Sequence, residues 1–244
     1  MGSYRFFEFN VTDILKADAP NVLAVEVFPP QPEDLAITWV DVNPSPADKD
    51  MGLWQDVYLK VSGPVTLRYP QVISHLDLPS LEKAHLTVTA VLHNTGTTAV
   101  KGTLTGEIGP QAEVGAIPAQ AEIQPFQQEV ALGPHETKLV SFTPEKFPQL
   151  NLSHPRVWWP WQLGKAELYN VRITFEANGE VSDSTQISFG IREVTSELTD
   201  KGYRVFKVNG KRIQRVGRDG GPICCCGRRP RGRRLNSATS ATCI

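Results

Sequence analysis

The side chains able to do chemistry are unevenly placed along this 244-residue chain. All four cysteines, Cys224, Cys225, Cys226 and Cys243, fall in the last 21 residues. The run of three lacks the two-residue gap that lets a pair of thiolates share a tetrahedral zinc, and no histidine lies nearby, so no metal site is expected. His75, His85, His93, His135 and His154 are scattered and suggest no site. The acids are too numerous to single out a pair, because a solvated surface position is their default. The aromatic residues are more informative. Trp158, Trp159 and Trp161 flank Pro160. Such a cluster can stack on sugar rings or plug an apolar gap between domains, and the plug is the preferred reading. Trp54 opens an alternating stretch and reads as packed core.

Charge is as uneven as cysteine. Residues 1–211 carry 17 Lys+Arg against 25 Asp+Glu, a net of −8, whereas residues 212–244 carry eight Arg and one Asp, a net of +7. An acidic body does not draw nucleic acid or an anionic membrane, and it suits a neutral or cationic ligand. No apolar run approaches the roughly 20 residues needed to span a bilayer. The start, Met1 to Phe9, has neither the basic lead-in nor the apolar centre of a signal peptide. A longer parent could carry an export signal elsewhere, so the compartment is left open. No cofactor is expected.

The elements that would position these residues are strands. Val22–Phe28, Asp56–Val61, His85–Leu92, Gly102–Ile108, Thr137–Thr143, Tyr169–Glu176 and Ser184–Gly190 are short β-rich runs between turn signals, several of them alternating polar and apolar residues. Period-two alternation with frequent turns predicts antiparallel sheets, each with one buried face. Only Val11 to Lys16 reads as helical, a single turn with Thr12 as its cap. The fold class is therefore all-β. The 70–192 stretch has the strand count and spacing of an immunoglobulin-like sandwich without its disulfide. Residues 1–63 read as the closing strands of another β-domain whose front half is missing, since two or three strands cannot bury a core. Lys201 to Lys211 reads as a strand running into an Asn209-Gly210 hairpin turn.

Four segments then resemble glycoside hydrolase family 2, in its exo-β-glucosaminidase and β-mannosidase branch. Phe9-Asn10-Val11-Thr12-Asp13-Ile14-Leu15-Lys16 with Asn21–Val25 is similar to a turn and strand of the family's sugar-binding domain. Trp39-Val40-Asp41-Val42-Asn43-Pro44-Ser45-Pro46-Ala47-Asp48, followed by Gly52-Leu53-Trp54-Gln55-Asp56-Val57, resembles the exo-β-glucosaminidase loop and the strand after it, with Val42 where that loop has a second Trp. Trp158-Trp159-Pro160, Gly164 and Leu168-Tyr169 resemble the signature of the immunoglobulin-like domain. Phe189-Gly190-Ile191-Arg192 and Phe206-Lys207-Val208-Asn209-Gly210-Lys211 resemble the passage into the (β/α)8 barrel.

The resemblance implies a retaining glycosidase in which two carboxylates about 5 Å apart flank the glycosidic bond. It places both at the C-terminal ends of barrel strands, beyond the point matching Lys211, so no catalytic residue is assigned and the chain alone is expected to be inactive. It also places Asp41 in the position of an acid that reaches the sugar pocket. A carboxylate there would accept hydrogen bonds from hydroxyls or an amine, with Trp39 offering an apolar face beside it. Trp158, Trp159 and Arg192 are assigned to the domain junction, where Arg192 is expected to ion-pair.

The expected organisation is as follows. Residues 1–66 are the C-terminal part of a galactose-binding-like sugar-binding sandwich, and 67–194 are the immunoglobulin-like sandwich. Residues 195–213 form the hairpin leading into a barrel that is missing, and 214–244 are an aberrant Arg/Cys-rich tail. For that tail a frameshift is preferred over a basic arm that binds nucleic acid. Codons can be chosen for Asp219 to Cys243 whose neighbouring frame spells an amphipathic helix, where the frame as written gives no periodicity. The expected function is that of an accessory part of an enzyme hydrolysing terminal β-linked sugars, glucosaminides foremost. Its partners are carbohydrate and the absent barrel, with no nucleic acid and no membrane. The alternative is a stand-alone carbohydrate-binding module.

Overall fold

A computed structural model describes residues 7–16, 18–29, 52–53, 55–111 and 125–213. The chain divides into two units, 1–61 and 62–244. The sequence readings on Trp39, Asp41, Trp54 and the 214–244 tail lie outside the described residues.

The described residues of the first unit hold no strand. A single turn over Thr12–Ile14 is closed by the amides of Ile14 and Leu15 on the Val11 carbonyl, both at 3.0 Å. Its cap is Asn10 rather than the expected Thr12. Asn10 Oδ1 accepts from the Thr12 amide at 3.1 Å and from the Thr12 hydroxyl at 2.7 Å. Asn21 then clasps the next loop, accepting from the Lys16 amide (3.0 Å) and donating to the carbonyls of Lys16 and Ala19 (2.8 and 3.1 Å). The runs 22–28 and 56–61, expected as strands, carry no ladder among the described residues, and their apolar side chains are exposed, Val22 at 91%. A β-rich run supplies a face to bury, and burying it takes neighbouring strands, of which the described residues of this unit hold none.

The second unit is the predicted sandwich. Its strands are β1 (Val65–Leu76), β2 (Lys83–Asn94), β3 (Val100–Pro110), β4 (Phe126–Leu132), β5 (Thr137–Phe142), β6 (Asn151–Ser153), β7 (Tyr169–Ala177) and β8 (Glu180–Phe189), with one 3-10 turn at Pro148–Leu150. One sheet runs β1-β2-β5 with β6 added to β2, and the other runs β4-β3-β7-β8. All described pairings are antiparallel. The alternation seen in sequence is the alternation of burial. Ala84, Leu86, Val88, Ala90 and Leu92 of β2 point inward, and Tyr169, Val171, Ile173 and Phe175 of β7 point back at them. Gly106 on β3 faces its register partner Phe126, whose ring would clash with any added Cβ. That gap lets Phe126 reach Phe142 edge-on at 4.7 Å between centroids.

Two irregularities interrupt the ladders, and the first ties the sheets together. A bulge between Phe175 and Glu176 makes Ser182 the extra residue in β8 and turns both Ser182 and Asp183 inward. Ser182 Oγ accepts from the Val65 amide (2.9 Å) and donates to the Val65 carbonyl (2.8 Å), while Asp183 Oδ2 accepts from the Leu67 amide (2.6 Å). The start of β1 is thereby fastened to the opposite sheet. In β1 itself the register shifts between Arg68 and Gln71, where Tyr69 has φ +50° and Pro70 has no amide to offer a ladder.

After β8 the chain forms a small sheet of β9 (Val194–Leu198), β10 (Arg204–Val208) and β11 (Lys211–Ile213) in the order β11-β10-β9. The predicted hairpin is present. Val208 pairs with Lys211, and the two-residue loop has φ +51° at Asn209 and +76° at Gly210, both in the region that such a turn requires. The β7–β8 hairpin uses the same device at Asn178 and Gly179.

Candidate functional site

The aromatic and motif residues converge on the seam between the sandwich and the β9–β11 sheet. The Trp158 amide donates to the Ile191 carbonyl at 2.9 Å, which lays the Trp158 segment alongside the exit from β8. Gly190 is the residue that permits this approach, since a Cβ there would lie 2.8 Å from the Trp158 side chain. The Arg192 guanidinium lies over the Trp158 ring, 4.4 Å from its centroid. Among the described residues no carboxylate pairs with Arg192, so the expected ion pair is replaced by a cation–π contact. The reason is electrostatic: the indole face within reach attracts the guanidinium through its ring quadrupole.

Asn209 joins the seam to the hairpin. It is 3% exposed, and both ends of its amide group are bonded. Nδ2 donates to the Trp158 carbonyl at 2.9 Å, and Oδ1 accepts from the Glu193 amide at 2.8 Å. Its own main-chain amide donates to the Glu193 carbonyl at 2.8 Å. Glu193 in turn reaches the sandwich, its Oε2 accepting from the Leu76 amide at the end of β1 (3.0 Å). Ser74 Oγ donates to the Arg192 carbonyl (2.7 Å) and accepts from the Arg192 amide (3.1 Å). Trp159 sits beside Gly164, where a Cβ would meet its side chain at 3.0 Å, and Lys211 Nζ lies 4.8 Å from its ring centroid. Tyr169 is buried and stacks on Phe189 at 5.8 Å, and its hydroxyl accepts from the Arg156 amide at 3.0 Å.

Trp158, Trp159 and Arg192 are thus brought together, and the polar groups between them are spent on one another. This arrangement can fix the angle at which the hairpin leaves the sandwich. Trp161 differs, being 72% exposed beside half-buried Trp159. Asp41 and Trp39 lie outside the described residues.

Sequence reasoning missed a second polar cluster on the outer face of the β1-β2-β5 sheet. His75 and His85 are register partners, and with Thr87, Pro144, Glu145 and Asn151 they line an open depression of about 400 Å³. His85 Nδ1 lies 2.5 Å from Asn151 Oδ1, and Nε2 lies 3.2 Å from Asp77 Oδ1. Hydrogen bonds to Asn151 and then Asp77 hold the His85 pKa above its ordinary value. The signal available in sequence was the hairpin register, which sets residue 75 opposite 85 once the turn near Pro79 is placed.

The sandwich, its glycine-spaced aromatics and this seam define a family 2 accessory domain, and the match is direct: the family described as Glycosyl hydrolases family 2 covers residues 65–192. The chain belongs to that family. It is 38% identical over 213 residues to an exo-β-D-glucosaminidase of Streptomyces avermitilis, an alignment covering 87% of this chain and 22% of the relative. An exo-β-D-glucosaminidase of Hypocrea virens is 33% identical over 218 residues, covering 88% and 23%. The crystal structure of the Amycolatopsis orientalis exo-chitosanase superposes with a TM-score of 0.64 at 33% identity, over 76% of this chain and 20% of that one. A singly substituted variant of that enzyme has been crystallised with PNP-β-D-glucosamine. The chain therefore spans about a fifth of the length of the relatives it matches.

Proposed function

We propose that this chain is the accessory β-portion of a family 2 exo-β-D-glucosaminidase, and that it orients a catalytic barrel rather than cleaving bonds itself. In this reading residues 1–66 contribute to a sugar-binding sandwich, 67–194 are the immunoglobulin-like spacer and 195–213 lead into the barrel. The tail after 213 is the product of a shifted reading frame. The whole enzyme would remove terminal β-linked glucosamine by a retaining mechanism, with both carboxylates on the barrel. Asp41 would accept hydrogen bonds from the sugar's hydroxyls or amine, and Trp39 would face its apolar side. Trp158, Trp159 and Arg192 would seat the hairpin at the domain junction.

The observation that carries this reading is the alignment with the Streptomyces avermitilis enzyme, which takes in 87% of this chain and only 22% of the relative. The test is an assay of the purified chain on an aryl β-D-glucosaminide. We expect no repeated turnover, and sustained hydrolysis would overturn the proposal.

A second reading, a stand-alone carbohydrate-binding module, is favoured by the exposure of Trp161. It predicts that chitosan oligosaccharides quench tryptophan fluorescence and that Trp161→Ala abolishes the quenching.

A further inference from the structure

We propose that His85 is a proton-operated clip fastening the β6 segment and the β1–β2 turn onto the outer sheet. The argument rests on what its two ring nitrogens face. Asn151 Nδ2 donates to the carbonyls of Pro144 (2.9 Å) and Pro148 (3.1 Å), which fixes the amide's orientation and leaves Oδ1 as an acceptor. That oxygen lies against His85 Nδ1. The Asp77 carboxylate, against Nε2, is acceptor-only when ionised. A neutral imidazole carries one N–H and can satisfy one of these partners, whereas the imidazolium satisfies both.

The charged groups around the ring come from every neighbouring element. Asp77 lies on the β1–β2 turn and favours the cation, while Lys83 on β2 opposes it. Glu145, after β5, feels the His85 charge, and His75 faces the same depression from β1.

The clip reaches further than its own contacts. Asn151 opens β6, whose three residues pair with β2 only from Lys83 to His85. Asp77 anchors the turn, accepting at its carbonyl from the Leu81 amide (2.8 Å) and the Ser80 hydroxyl (3.2 Å). The next residue, Leu78, lies beside Gly210 of the β10–β11 hairpin, 3.6 Å from where a Cβ would stand. One proton on His85 thus tightens both the β6 edge and the ledge on which the hairpin rests. Because the folded state holds the proton more firmly, the contribution is complete below pH 6.5, the ordinary histidine value, and is lost as pH rises through the higher folded value.

The test uses the full chain. The NMR titration midpoint of His85 should lie above 6.5 and should fall in Asp77→Asn. Hydrogen-exchange protection of the His154 amide, which bonds the Glu82 carbonyl, should drop about fivefold between roughly pH 5.5 and 8 after correction for intrinsic exchange. That step should be absent in His85→Gln. A midpoint at or below 6.5, or a protection step that survives in His85→Gln, overturns the proposal. The midpoint in Asp77→Asn decides the matter if His85→Gln does not fold.

Discussion

At the scale of single residues, the seam depends on side chains that replace one another poorly. Asn209 combines a left-handed backbone with two hydrogen bonds from a buried amide group. Asn209→Ala leaves the Trp158 carbonyl and the Glu193 amide unpaired, and we expect a loss of about 2 kcal/mol in urea denaturation. Asn209→Gly relieves the backbone strain but not the missing bonds, so it should recover only part of that loss. Gly190→Ala drives a methyl into Trp158 and should cost about 1–3 kcal/mol, read the same way. These residues were legible because they fall in contiguous motifs. The His85 cluster was not, because its members at 75, 77, 85, 145 and 151 meet only through strand register. Arg192 was expected to ion-pair and instead lies over the Trp158 ring, since a motif does not show which surface an arginine will cover.

The strands show why local pattern succeeds and where it stops. Those with the clearest alternation, β2 and β7, appear close to where the sequence puts them. By contrast, β1 is broken by the bulge at Tyr69-Pro70, which interrupts its period. The run 56–61 alternates too, yet it and 22–28 stay exposed among the described residues, because a strand is completed by neighbours and not by its own residues. The pairing of β9 with β10 is reinforced by Lys207 Nζ on Glu197 Oε2 at 2.6 Å, and this contact holds the Glu197 carboxyl below its ordinary value of 4.5. A depressed folded value means the contribution exists above pH 4.5 and fades as pH falls through the lower folded value. Amide exchange in β10 should therefore accelerate in acid after correction for intrinsic rates. Lys207→Met should remove that step, whereas a step that persists in the variant would assign it elsewhere.

For the molecule as a whole, the described core belongs to the second unit, from Val65 to Ile191, with Val208 buried beyond it. Residues 62–213 expressed alone should unfold in one cooperative transition, and residues 1–61 alone should show none by circular dichroism. The family match over 65–192 coincides with that core. Fold class and family were readable from sequence. The proposed sugar contacts of Asp41 and Trp39 rest on the resemblance alone, because both lie outside the described residues.

We propose that residues 1–213 support chemistry performed on a catalytic barrel rather than performing it themselves. The most direct measurement is a chimera in which residues 1–213 replace the aligned stretch of the Streptomyces avermitilis exo-β-D-glucosaminidase, assayed on an aryl β-D-glucosaminide. The account predicts that the chimera hydrolyses the substrate while the isolated chain does not. A folded but inactive chimera, or hydrolysis by the isolated chain, would contradict it.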